Sequence, residues 1–79
     1  MKLWLLKATD KAEELGKQSW DSYDSFVIRE ETEQNARLRA STEAADEGAD
    51  TWLNPELSTC KELIGKGKPE IVIGSFNAG

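Results

Sequence analysis

Seventy-nine residues form one domain, 1–79, because a chain of that length buries only about 60–65% of its unfolded surface and has no room for a second core. The net charge of −5, from 15 acidic and 10 basic residues, argues against direct binding to nucleic acid or to an anionic membrane. Histidine is absent and Cys60 is the only cysteine, so the commonest general base is missing, no intrachain disulfide can form, and the composition favours a non-enzymatic protein of a reducing cytosol.

In chain order, Lys2–Ala8, "KLWLLKA", reads as a first strand buried on much of both faces. Its apolar run of four residues is too short for a signal-peptide core or a membrane span. The stretch that follows reads as a long loop, with a helical turn available from Asp10 as cap to Gly16 as stop. Ser25–Glu30, "SFVIRE", alternates as a half-buried strand does. Thr32 can cap a helix running to about Thr42, with Ala36 and Ala40 on its inner stripe, Leu38 to one side and Glu33 in its first turn. A second short helix is expected from Asn54 as cap and Pro55 as first helical residue, with Leu57, Cys60 and Ile64 on one face and Gly65 at its end. Lys66–Pro69 reads as a turn and Glu70–Phe76 as the last strand. The order β-β-α-α-β predicts an α+β fold: a three-stranded antiparallel sheet, strand one central, with one or two helices packed on one face.

Three Trp, two Phe and one Tyr are more large anchors than a disordered acidic tail carries, so the chain is read as folded. Trp52 and Tyr23 are expected to fold down as lids on the small core, whereas Trp20 is open to either a lid role or that of an exposed interface anchor.

Catalytic and metal motifs fail on their spacing. Aligning Gly48 with the invariant glycine of a calcium loop puts Ala45 at position three and Asn54 at position twelve, so the ligand set is incomplete. Cys60 has no histidine partner and reads as core. Adjacent acids such as Glu30–Glu31 or Asp46–Glu47 have no evident pocket in which to divide acid and base roles. "GKGKP", at 65–69, lacks both the phosphate-loop spacing and the helix that must follow. No cofactor or metal is expected.

Charge is what separates along the chain. Between Ser19 and Cys60 the acids Asp21, Asp24, Glu30, Glu31, Glu33, Glu43, Asp46, Glu47, Asp50 and Glu56 stand against Arg29, Arg37 and Arg39, ten against three, a balance of −7. Duplex DNA carries one charge per about 1.7 Å, so seven charges match roughly 12 Å of duplex. These ten acids are the predicted partner-binding face.

The segments "KLWLL", "YDSFVIREETEQNARLRA", "EGADTWLNPELSTCKEL" and "IVIGSFNAG" resemble small proteins of phages, prophages and bacteria. Small acidic proteins of mobile elements include the anti-CRISPR inhibitors, to which this chain is similar in size and charge, although no functional motif maps residue by residue. The resemblance implies an inhibitor in the host bacterial cytosol that occupies a basic nucleic-acid-binding surface of a protein or ribonucleoprotein complex, a type I CRISPR effector being the suspected target. The rival expectation is an adaptor that binds a protein partner through an exposed aromatic such as Trp20 or through a strand edge, its acids serving solubility.

Overall fold

The computed structural model describes residues 1–16 and 21–63. Trp20, the Lys66–Pro69 turn and the expected strand Glu70–Phe76 lie outside the described residues.

The elements are β1 (Lys2–Ala8), α1 (Asp10–Glu14), β2 (Ser25–Glu30), α2 (Glu33–Glu43), α3 (Ala49–Leu53) and β3 (Ser58–Leu63), an α+β order of β-α-β-α-α-β. The three strands form an antiparallel sheet in the order β2-β1-β3, with the apolar first strand at its centre, as its sequence leads one to expect. Leu5 pairs with Val27 on one side and Lys61 on the other, and Leu6 with Phe26 and Cys60.

Because side chains alternate along a strand and direct cross-strand partners share a face, β1 directs Trp4, Leu6 and Ala8 to one side. Leu6 and Ile28 meet Ala36 and Ala40 of α2 and Trp52 of α3, the buried cluster that holds the helices to the sheet. The alanines of α2 let its backbone approach the sheet closely. Phe26 then fills the space at the rim, its ring 4.9 Å from that of Trp52 in an edge-to-face arrangement.

Two elements differ from their sequence expectation. Of the helix expected from the Asn54 cap to Gly65, residues 54–63 instead turn and then extend, while Ile64 and Gly65 lie outside the described residues. The Asn54 side chain accepts from the Glu56 backbone N–H at 2.9 Å, and its carbonyl accepts from Leu57 and Ser58, closing a turn that delivers Ser58–Leu63 to the open edge of β1. The apolar spacing of Leu57 and Cys60 suits a helix, but the alternation from Ser58 to Leu63 suits a strand as well, and pairing with β1 decides between them. The loop expected after β1 contains α1, whose cap is Thr9, not Asp10: the Thr9 hydroxyl accepts from the Ala12 N–H. Gly16, at φ +74°, takes up the left-handed conformation that follows this short helix.

Candidate acidic docking surface

Helix α2 divides the predicted acidic face in two. Its eleven residues span about 16 Å, so acids at its two ends belong to separate surfaces. At its start, Thr32 caps the Asn35 N–H at 3.1 Å, and Glu33 sits in the first turn. There the charges are largely matched. Glu33 accepts from Arg37 Nε at 3.0 Å, and Glu30 accepts from Arg39 through Nε at 2.9 Å and Nη2 at 2.6 Å. The Arg39 guanidinium, helped by the Glu31 N–H, holds the Glu30 carboxyl below the usual carboxylate range. Glu31 is exposed beside them and joins no ion pair among the described residues. Glu56, elsewhere, pairs with Lys11 at 3.4 Å.

The other end of α2 is different. Glu43 is its last residue, Asp46 lies in the loop that follows, and Asp50 sits in the first turn of the next helix. The loop before β2 joins them: the Asp46 N–H donates to the Asp21 carbonyl at 3.1 Å, which sets Asp21 beside Asp46. Asp21 has φ +58°, a left-handed turn conformation that aspartate tolerates better than most residues. Asp21, Glu43, Asp46 and Asp50 are all exposed, and none joins an ion pair among the described residues. Asp24, also exposed, closes this loop and accepts from the Ser25 hydroxyl. An open depression of about 340 Å³ bordered by Asp21, Ser22, Tyr23 and Ala45 lies at the same end.

Glu47 does not belong to the surface. It is 1% exposed, and its carboxylate accepts from Trp52 Nε1 at 2.7 Å and from the backbone N–H groups of Tyr23 at 3.2 Å and Ala45 at 3.0 Å. Three converging donors make the burial of an anion tolerable and tie the acidic loop, the 21–24 segment and the core together. Trp52, fully buried, is therefore the peg that the sequence suggests. Tyr23 keeps one side open while its ring rests 4.6 Å from Phe26.

Arg37 is the buried counterpart. Its guanidinium donates to the Trp52 carbonyl, to Ser58 Oγ and to the Ser58 carbonyl at 2.9–3.2 Å, joining α2, α3 and β3. A charge pattern alone gives no signal for either role. The neighbourhood of Glu47, a glycine followed within one helical turn by the Trp52 indole, becomes informative only once Trp52 is placed in the core.

The Cys60 thiol is half-buried, and burial first and Glu33 second push its pKa up, against the pull of Arg37. It is held as a thiol, which suits packing against the core cluster. Among the described residues, no group of three or more His, Cys, Asp or Glu converges to hold a metal ion, and no helix is long and apolar enough to cross a membrane. Compared with protein families, with curated proteins and with solved structures, the chain has no match.

Proposed function

We propose that this chain is a small, non-enzymatic inhibitory binding protein of the bacterial cytosol that occupies a basic nucleic-acid-binding surface of a defence complex, as anti-CRISPR proteins of type I systems do. The observation that carries the reading is the concentration of Asp21, Glu43, Asp46 and Asp50 at one end of α2, exposed and without an ion-pair partner among the described residues. Carboxylates already matched by arginine, such as Glu30 and Glu33, have little left to offer a partner. Unmatched ones attract lysine and arginine at long range and bind guanidinium groups directly on contact. Rigidity supports the same reading: Glu47 anchors the loop from below, so little ordering is required when it docks. The resemblance to small acidic proteins of mobile elements points in the same direction.

The test is competition. A type I effector complex is incubated with labelled target DNA and increasing amounts of the protein, and bound DNA is measured by mobility shift. The wild type is expected to displace DNA and the variant Glu43→Lys/Asp46→Lys/Asp50→Lys to fail, with unchanged circular dichroism. Displacement by the variant equal to that by the wild type refutes the reading.

A further inference from the structure

The sheet has a second face, turned away from α2 and α3. Strand parity fixes its members: Leu5 lies between Val27 and Lys61, Leu3 faces Arg29, and Lys7 follows Leu5 two residues on. Leu3 and Val27 remain 37% and 48% exposed, and Lys7, Arg29 and Lys61 are exposed around them. Strand spacing sets the Cα atoms of the three about 8, 12 and 14 Å apart, a triangle around Leu5. Lys2, Lys11, Arg37 and Arg39 all join ion pairs within the chain. Lys7, Arg29 and Lys61 join none among the described residues, so all the unmatched bases described share this one face. Leu5 itself is only 7% exposed, so the apolar surface offered between the cations is that of Leu3 and Val27, and apolar surface rimmed by charge has the anatomy of a protein interface.

We infer that this face docks the acidic end of a second copy of the chain. The complement is on the same molecule: Asp21, Glu43, Asp46 and Asp50, like the three bases, join no ion pair among the described residues. A symmetric sheet-to-sheet pairing would set three cations against three, so each contact puts the basic face of one copy on the acidic end of another. Two copies at −5 also repel as whole molecules. Screening confines that repulsion to about 8 Å at physiological ionic strength, whereas the facing charges meet at contact. A nucleic acid or an anionic lipid surface engages only the basic face, whereas a second copy matches both the basic face and the acidic end. The inference uses the acidic end invoked for target binding but no target, so its test is made on the chain alone.

Sedimentation velocity of the wild type up to about 1 mM, at about 150 and 500 mM salt, is expected to show concentration-dependent association that weakens at the higher salt. The variants Arg29→Gln/Lys61→Gln and Glu43→Gln/Asp46→Asn, both altered only at exposed positions, are each expected to sediment as monomers with unchanged circular dichroism. Mixed in equal amounts, they retain one intact basic face and one intact acidic end between them, and a 1:1 complex is expected. A monomeric wild type over the whole range, association that either variant retains in full, or a failure of the mixed variants to pair overturns the inference. So does saturable binding of phosphatidylserine vesicles or of a single-stranded oligonucleotide that Arg29→Gln/Lys61→Gln abolishes, because it assigns the face to a polyanion.

Discussion

Replacing Glu47 by alanine tests the structural side of the acidic loop. The substitution removes the acceptor of three N–H groups, those of Trp52 Nε1, Tyr23 and Ala45. The Tyr23 and Ala45 N–H groups are part-buried in exposed residues, but Trp52 is fully buried and its indole N–H is left without an acceptor. A buried donor so orphaned costs about 1–3 kcal/mol. The lost methylene contact adds about 0.8 kcal/mol, for a total of about 2–4 kcal/mol. A domain of this length is stable by about 4–12 kcal/mol, so a large share of the total is removed. Glu47→Gln should fall between, because an amide oxygen still accepts while its NH₂ opposes one of the donors. Urea unfolding followed by tryptophan fluorescence measures both variants. A Glu47→Ala midpoint indistinguishable from that of wild type, with weakened partner binding instead, would place the side chain on the surface and refute the reasoning.

The remaining predictions address other joints of the fold. Arg37→Met keeps the bulk but leaves the Trp52 and Ser58 carbonyls short of a donor, and should cost about 2–4 kcal/mol in the same unfolding assay. Arg39→Met should raise the Glu30 pKa toward its ordinary value in an NMR titration. Since the wild-type Glu30 pKa is depressed on folding, the stabilisation by the pair is present above the ordinary glutamate pKa and lost as pH falls through the folded value; the two proteins should therefore converge in stability in acid. Cys60, held as a thiol by burial, should react with iodoacetamide at neutral pH more slowly than a free cysteine.

What the sequence made legible was local. The apolar run of β1, the alternation of β2 and the Thr32 cap with the Ala36–Ala40 stripe each specify one element without help from distant residues. The central position of β1 follows from its apolarity. Residues 54–63 were not legible, because Leu57 and Cys60 suit a helix stripe as well as a turn and strand, and only the open edge of β1 selects the strand. That ambiguity also hid the basic sheet face, since Lys61 joins Arg29 and Lys7 only when residues 58–63 are extended. The acidic middle of the chain was legible as a charge count but not as a surface. Counting cannot distinguish Glu47, held inside by three N–H donors, or Glu30 and Glu33, matched by arginines, from Asp21, Glu43, Asp46 and Asp50, which are exposed and join no ion pair among the described residues.

The proposed function requires these remaining acids to bind a partner. The most direct measurement is the affinity of the protein for a type I effector complex, compared between wild type, Glu43→Lys/Asp46→Lys/Asp50→Lys, and a control reversal at Glu31. Binding that weakens with salt, is lost in the triple variant and is retained in Glu31→Lys is the predicted result. Equal binding by all three proteins would contradict it.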